Sequence, residues 1–176
     1  DRVARRIPVI AGTGSNSTAE AIHQTQEAEA AGADACLLVT PYYNRPTQEG
    51  LFRHFEAIAA STSVPVVLYN VPPRTGCDLM AETVGRLATL DGIVGIKEAC
   101  GDASRVTHIR DAVAAHGVDE FFILSGEDAQ TMQMMTLGAV GTISVTANVL
   151  PAQMAEFCAA FLRGDVEQAS ALDQRL

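Results

Sequence analysis

The chain has 176 residues, a net charge of −9 and no cluster of Lys and Arg, so a nucleic-acid-binding surface is not expected. A hydrophobic content of 48% with 19% charged residues is typical of one globular domain with a sizeable core and excludes a disordered chain.

Short apolar runs alternate with segments of helical period along the whole chain. The apolar runs, which predict buried strands, cover residues 7–12, 35–40, 64–70, 93–97, 120–125 and 141–146. The helical segments cover residues 18–31, 49–60, 81–90, 104–115, 129–137 and 151–162. Such an alternation, with nearly continuous apolar strands, predicts an α/β fold with a parallel sheet covered by helices.

Capping residues mark the ends of several predicted helices. The pattern Ser17-Thr18-Ala19-Glu20 has the form of a capping box and predicts a helix start. Further predicted N-caps are Thr47, Asp78 and Asp102, and predicted helix ends are Gly32 and Gly138.

Two parallel architectures are compatible with this pattern. A doubly wound sheet is disfavoured because the run GTG at residues 12–14 lacks a third glycine at the dinucleotide-binding spacing, and no Walker A lysine is present. A (β/α)8 barrel needs eight units, and about six are visible, as expected for a chain without its first two strands. In either fold, polar residues that follow strand ends gather at one edge of the sheet.

The cysteines and histidines indicate neither a metal site nor a disulfide framework. Cys36, Cys77, Cys100 and Cys158 are scattered, without a CxxC pair or a histidine at ligand spacing. We therefore predict no metal and a cytoplasmic location, and the incomplete nucleotide motif predicts no nucleotide cofactor. The uncharged stretch 129–155 is interrupted by polar residues and Pro151, which favours a buried helix, turn and strand over a membrane span.

Lys97 and Tyr69 are the candidate catalytic residues. Each closes an apolar run, and successive strand residues point to opposite faces, so Ile93, Gly95 and Lys97 are predicted on one face and Val94 and Ile96 against the helices. Gly95 is expected to leave space beside the lysine. Burial lowers the pKa of a lysine and frees its amine to form a Schiff base with a ketone. The alternative is a solvated lysine beyond a buried strand and a tyrosine that only packs in the core.

Six motifs together resemble the dihydrodipicolinate synthase family, whose enzymes are also called 4-hydroxy-tetrahydrodipicolinate synthases. They are PVIAGTGSN at 8–16, VTPYYNRP at 39–46, YNVP at 69–72, RTG at 74–76, GIKEA at 95–99 and ISVTAN at 143–148. The resemblance implies a class I aldolase on a (β/α)8 TIM barrel, of which this chain would hold strands 3 to 8. We expect residues 1–163 to form a partial barrel and residues 164–176 to begin a C-terminal helical region.

The resemblance also implies roles for individual residues. Lys97 would form the Schiff base with pyruvate, Tyr69 would shuttle protons, and Arg74 would hold the carboxylate of aspartate semialdehyde. Tyr43 would reach into a neighbouring subunit of a homo-oligomer, a dimer of dimers. Gly126 and Ile143 would line the pyruvate pocket, and Asn16, Glu20 and Tyr42 match a site at which lysine inhibits some members.

The match is incomplete at the start of the chain. The family's Gly-Thr-Thr-Gly-Glu-Ser motif, whose second threonine links the two tyrosines, would precede Asp1, so we expect a chain truncated at both ends. Two alternatives stay open: another pyruvate aldolase of the superfamily, similar to N-acetylneuraminate lyase or a keto-sugar-acid aldolase, and a non-catalytic paralogue that binds a ligand.

Overall fold

A computed structural model of the protein describes residues 3–176. The strands are β1 (Ile10–Gly12), β2 (Ala35–Val39), β3 (Val66–Asn70), β4 (Ile93–Glu98), β5 (Phe122–Ser125) and β6 (Gly141–Thr142). The helices are α1 (Thr18–Ala30), α2 (Gln48–Ala59), α3 (Pro72–Thr75), α4 (Ala81–Leu87), α5 (Arg105–Ala115), α6 (Thr131–Thr136), α7 (Pro151–Leu162) and α8 (Val166–Asp173). Single 3-10 turns lie at Asp128–Gln130 and Thr146–Asn148.

Within the described residues, the six strands form one sheet in the order β1-β2-β3-β4-β5-β6. Every neighbouring pair is parallel, so each connection crosses back over the sheet through a helical segment. This is the strand order of a (β/α)8 barrel, and it confirms the predicted alternation. All strands therefore end at the same edge, where the polar segments of the sequence meet.

The hydrophobic core lies between the sheet and its helices. Leu38, Leu68, Ile96 and Ile123 occupy the helix-facing side of four adjacent strands, and each is at most 2% exposed. Phe55 of α2 is fully buried in the same core. The residues that alternate with these point to the opposite side of the sheet, which is where the candidate site lies.

A bulge in β4 changes the predicted facing of two residues. Val66 pairs with Ile93, whereas Val67 pairs with Gly95, so Val94 is an extra residue opposite β3. Ile93 consequently packs in the helix-facing core, and Val94 lies outside that core beside Phe122. The prediction for Ile93 and Val94 was wrong because strict alternation does not hold across a bulge.

Helix starts were predicted correctly where a local cap exists. The side chain of Ser17 accepts a hydrogen bond from the backbone N–H of Glu20, and Thr47 accepts one from Gly50. The predicted caps Asp78 and Asp102 were wrong, because α4 begins after Met80 and α5 after Ser104. Asp102 accepts from the N–H of Ser104 within the preceding turn, and Asp78 pairs with Arg105 instead.

The glycine helix ends were also predicted correctly. Gly32 and Gly138 follow α1 and α6 with φ of 84° and 114°, a conformation that favours glycine. Helix α8 packs on α7 at the end of the chain. The division of the chain after residue 163 stays a prediction. No helix among residues 3–176 combines the length and apolarity that crossing a membrane requires.

Candidate active site

Lys97 and Tyr69 are neighbours at the carboxyl ends of β4 and β3. Their Cα atoms are direct partners in the parallel ladder, and the Lys97 Nζ atom lies 4.1 Å from the centroid of the Tyr69 ring. A cation at this distance above an aromatic face is attracted by the ring quadrupole. The structure thus brings together the two residues that the sequence singled out, on the side of the sheet opposite the helices.

The environment of Lys97 lowers the pKa of its amine. The side chain is half-buried, and desolvation lowers its pKa below the usual value of 10.5. The positive charge of Arg74 lowers the pKa further, whereas the negative charge of Asp128 opposes both effects. Lys97 is also the sole lysine among the 176 residues, since the other eleven basic side chains are arginines. Any lysine chemistry of this chain therefore occurs at one position.

Tyr69 keeps its proton at neutral pH. Desolvation raises the pKa of its hydroxyl above the usual value of 10, Glu127 raises it further, and Arg74 opposes the shift. A protonated phenol beside an amine can donate a hydrogen bond or a proton to an oxygen that leaves as hydroxide or water. The pair therefore combines a nucleophile with a proton donor.

Two glycines shape the space around the lysine in different ways. A Cβ atom at Gly126 would lie 2.9 Å from the Lys97 Cε atom, so this glycine permits the observed position of the side chain. At Gly95, a Cβ atom would lie 2.5 Å from the ring of Phe122. The space that we expected beside the lysine at Gly95 is therefore occupied by Phe122.

Ile143 lies at the same edge of the sheet as the lysine. It directly follows β6, and its N–H donates to the Ser125 carbonyl oxygen over 2.9 Å. Gly126 follows that serine, and its own N–H donates to the carbonyl oxygen of Glu98 over 2.8 Å. These bonds hold both predicted lining positions close to the end of β4.

Arg74 and Tyr43 lie on two loops that contact each other. Arg74 is an exposed residue of α3, a single turn that ends at Gly76 with φ of 73°. Tyr43 has a positive φ of 75°, its N–H donates to the carbonyl of Thr75, and its side chain is 89% exposed. The structure thus places Arg74 within electrostatic reach of Lys97 and leaves the Tyr43 ring in solvent.

The three residues assigned to lysine inhibition lie close together. The Asn16 side-chain amide donates to the carbonyl oxygen of Tyr42 over 3.2 Å. Glu20, in the first turn of α1, accepts from the hydroxyl of Ser15 over 2.9 Å. The side chain of Tyr42 is partly exposed at 42%. They form a polar surface patch beside the Tyr43 loop.

Sequence reasoning missed the polar side chains directly behind the site. Asn70 follows Tyr69, and Glu98 follows Lys97, and both are buried on the helix-facing side. The Asn70 amide donates to both carboxylate oxygens of Glu98, over 3.1 and 3.2 Å. The sequence feature that could have revealed them is an amide, Asn70, and a carboxylate, Glu98, at the ends of two otherwise apolar runs.

Neither cysteine near the site behaves as a nucleophile. Burial and the negative charge of Glu98 raise the pKa of the Cys100 thiol to about 11, so the reactive thiolate is scarce at neutral pH. Cys77 is buried and its thiol donates to the carbonyl of Pro41. In the part of the chain that the structure describes, no group of three or more His, Cys, Asp or Glu residues is placed to hold a metal ion.

Comparison with known proteins gives one consistent family. The family model described as the dihydrodipicolinate synthetase family matches residues 1–176. The chain belongs to this family. It is 56% identical over 175 residues to the 4-hydroxy-tetrahydrodipicolinate synthase of Pseudomonas putida (strain W619), covering 99% of this chain and 59% of that protein. It therefore spans about three-fifths of the length of that curated relative.

Solved dihydrodipicolinate synthases show the same fold. The enzyme from Methylacidiphilum fumariolicum SolV is 53% identical, with a TM-score of 0.93 over 98% of this chain and 56% of that one. The enzyme from Acinetobacter baumannii, solved as a chloride-inhibited complex with pyruvate, is 50% identical, with a TM-score of 0.91 over 98% and 58%. The parallel sheet and its helices are therefore part of a TIM barrel, as predicted.

Proposed function

We propose that this chain is the catalytic part of a 4-hydroxy-tetrahydrodipicolinate synthase, a lyase of lysine (diaminopimelate) biosynthesis. The reaction would condense pyruvate with L-aspartate 4-semialdehyde. The observation that carries the proposal is the position of the single lysine, half-buried over the Tyr69 ring at the end of β4. Membership of the family and the names of its relatives support the substrates.

The first step would be imine formation at Lys97. The neutral Nζ attacks the ketone carbon of pyruvate, and the carbonyl oxygen leaves as water after two proton transfers. Tyr69 is placed to supply and recover those protons, because its hydroxyl is protonated and its ring lies against the amine. The lowered pKa of Lys97 increases the fraction of the amine that is neutral, which is the nucleophilic form.

The second step would form the carbon–carbon bond. A protonated imine draws electrons from the adjacent methyl group, which loses a proton and becomes an enamine. The enamine carbon attacks the aldehyde, and the aldehyde oxygen gains a proton. Arg74 would hold the carboxylate of the aldehyde substrate, because a guanidinium fork matches both carboxylate oxygens. The reaction needs no metal or nucleotide, since the imine itself is the electron sink.

The decisive experiment is trapping of the imine with borohydride. Incubation with pyruvate, reduction and peptide mass mapping should place one pyruvyl adduct on Lys97. Because the sequence has no second lysine, the chain's α-amine is the one other amine, and mapping separates the two. The variant Lys97→Arg keeps the positive charge, and it should show no adduct on the peptide that contains residue 97.

Substrate comparison then separates this function from its alternatives. Turnover of aspartate semialdehyde above that of keto-sugar acids supports the synthase, whereas the reverse order indicates another pyruvate aldolase. Saturable pyruvate binding without an adduct on Lys97 would contradict both and identify a non-catalytic paralogue.

Assembly, regulation and location are proposed together with the function. The exposed Tyr43 ring, on a backbone held at positive φ, fits a homo-oligomer, a dimer of dimers, in which it reaches a neighbouring subunit. The cluster of Asn16, Glu20 and Tyr42 would bind lysine as an inhibitor. Four free thiols fit a reducing cytoplasm. Sedimentation velocity, and inhibition assays with lysine, test the first two proposals.

A further inference from the structure

A row of buried polar residues crosses the sheet directly behind the candidate site. Asn70, Glu98 and Ser125 are successive partners on β3, β4 and β5, and Thr40 follows β2 at the same level. Their exposed fractions are 0%, 1%, 0% and 0%. Burying polar side chains in an otherwise apolar core is costly unless they are hydrogen-bonded, and three of the four are, whereas the Thr40 hydroxyl has no partner.

The two central members of this row are adjacent in sequence to the catalytic pair. Asn70 follows Tyr69, and Glu98 follows Lys97, so each polar residue points away from the site on the same backbone that carries a site residue. The Asn70 amide joins the two strands by donating to both Glu98 oxygens. Movement of this link therefore moves the Tyr69 and Lys97 backbones relative to each other.

The link is itself held by further contacts. The Asn70 amide also donates to Asp78 Oδ1 over 2.8 Å, and the Asn70 side-chain oxygen Oδ1 accepts from the Leu79 N–H over 3.0 Å. Asp78 is paired with Arg105 through two bonds, of 2.8 and 3.2 Å. Among the described residues, the buried side-chain atoms that lack a hydrogen-bond partner do not include any from Asn70 or Glu98. A buried network whose polar groups all have partners is rigid, because any other arrangement of its side chains would leave a buried group without a hydrogen bond.

Glu98 also holds the segment that follows the lysine. Its Oε1 atom accepts the Cys100 N–H over 2.8 Å, and its backbone carbonyl accepts the N–H of Gly126, the glycine whose missing Cβ atom leaves room for the Lys97 side chain. One side chain therefore ties β3, β4 and the loop after β4 together behind the lysine.

We propose that Asn70 and Glu98 are positioning residues that fix Lys97 over the Tyr69 ring by joining the ends of their strands on the opposite side of the sheet. This inference rests on the proposed function for its catalytic meaning, but the geometry it predicts can be measured without a substrate. Neither residue touches the reacting atoms.

The experiment compares Glu98→Ala with Glu98→Gln in the whole chain. Glutamine lacks the charge, but its oxygen can take the place of Oε1, which accepts both from Cys100 and from Asn70. Ile109→Ala, in the fully buried core of α5, is the control for general loosening. Glu98→Asp, which is one methylene shorter, replaces Glu98→Ala if the latter does not fold.

Two readouts are measured at a temperature at which every variant is folded. Incorporation of lysine labelled with 13C at Cε gives one resonance, and its titration reports the pKa of Lys97 without any ligand. The rate of borohydride trapping at saturating pyruvate reports imine formation. In Glu98→Ala, the Lys97 pKa should rise toward its ordinary value as the amine becomes solvated, and trapping should slow about tenfold or more. Glu98→Gln and Ile109→Ala should match the parent protein in both readouts.

The proposal is overturned if Glu98→Ala matches the parent in both readouts, or if Ile109→Ala changes as much. It is also overturned if Glu98→Gln and Glu98→Ala shift together, because the negative charge and not the link would then matter. A parent protein that never traps pyruvate would contradict the proposed function, and the titration would still decide whether Glu98 positions the lysine.

Discussion

The two sides of the sheet at the ends of β3 and β4 have opposite properties. On the site side, Lys97 and Tyr69 are half-buried, contact each other, and have pKa values shifted by desolvation. On the helix side, Asn70 and Glu98 are buried and hydrogen-bonded. Because successive strand residues alternate in direction, one short stretch of backbone serves both sides.

The site side carries the reactive side chains, and the helix side holds the backbone in place. A nucleophilic residue needs an available lone pair and an environment that disfavours its charged form. Such a side chain makes few strong contacts of its own. Lys97 makes no salt bridge within residues 3–176. Its position therefore depends on the backbone, which the helix side holds. The predictions below change one side at a time.

Tyr69→Phe should give the largest effect on the site side. The ring still shields the Lys97 side chain from water, so desolvation should keep the pKa of Lys97 lowered, whereas the proton donor is lost. We expect imine trapping to slow about a hundredfold. Stopped-flow trapping with 13C titration of the lysine measures both, and Tyr69→Leu, which removes the ring as well, should also alter the titration. An unchanged trapping rate in Tyr69→Phe would exclude Tyr69 as the proton donor.

Arg74→Gln should weaken binding of the aldehyde substrate more than it slows imine formation. The loss of a charged bidentate contact to a carboxylate is expected to raise the KM for aspartate semialdehyde about tenfold or more. The pKa of Lys97 should rise as well, because the Arg74 charge lowers it in the parent protein. Steady-state kinetics check the first effect. Arg45→Gln, on the neighbouring exposed loop, is the matched control and should leave the KM unchanged.

Gly126→Ala tests the contact between the two sides directly. The added methyl group would lie 2.9 Å from Lys97 Cε and 2.8 Å from the Ala99 side chain, so the lysine must move. We expect trapping to slow about tenfold, because small misplacements of a reacting group are costly. Gly12→Ala, where a Cβ atom meets nothing within 4 Å, should trap at the parent rate. Equal rates in the two variants would contradict the contact.

His54 offers the smallest effect, far from the site. It is 5% exposed, its Nδ1 atom bonds the Thr18 hydroxyl, and burial lowers its pKa from 6.5 to about 4. The neutral ring is favoured in the folded state, so its contribution is complete above pH 6.5 and is lost as the pH falls toward 4. We expect the free energy of unfolding to fall by roughly 1 kcal/mol between pH 7.5 and pH 6.

His54→Asn removes the titration and can keep the bond to Thr18. Urea unfolding of both proteins at several pH values should therefore show a difference in slope between pH 7.5 and pH 4, with the asparagine variant less sensitive to acid. Parallel curves would mean that His54 does not titrate with the lowered pKa. The trapping rate at pH 7.5 should be the same in both.

The fold was predictable from the sequence where local patterns decide it. Continuous apolar runs and their spacing are enough for a parallel sheet, and Ser17 and Thr47 cap helices through contacts within three residues. Asp78 is a residue type that is favoured at helix starts, like Ser17 and Thr47, but its carboxylate pairs with a distant residue, Arg105. A local pattern cannot reveal a contact between residues 27 positions apart.

The candidate site was only partly predictable for a similar reason. Lys97 and Tyr69 end adjacent strands, and both their proximity and their common side follow from parallel pairing. The support by Asn70 and Glu98 depends on which residue faces which across two strands, and this register is not visible in one sequence. The role assigned to Tyr43 depends on a second chain and stays a prediction.

The bulge at Val94 has a consequence for how this sequence can vary over evolutionary time. Because the bulge takes up Val94 as an extra residue, Lys97 lies on one side and Glu98 on the other, given that Ile93 is anchored among the helices. Deletion of Val94 would remove only the bulge, because Ile93 and Gly95 already pair with the consecutive residues Val66 and Val67. A deletion of one codon between Gly95 and Lys97 would instead exchange the two sides, leaving an acid facing the site and an ammonium ion in the apolar interior. Insertions and deletions between Gly95 and Lys97 should therefore be far rarer among working descendants than changes at Val94, including its loss.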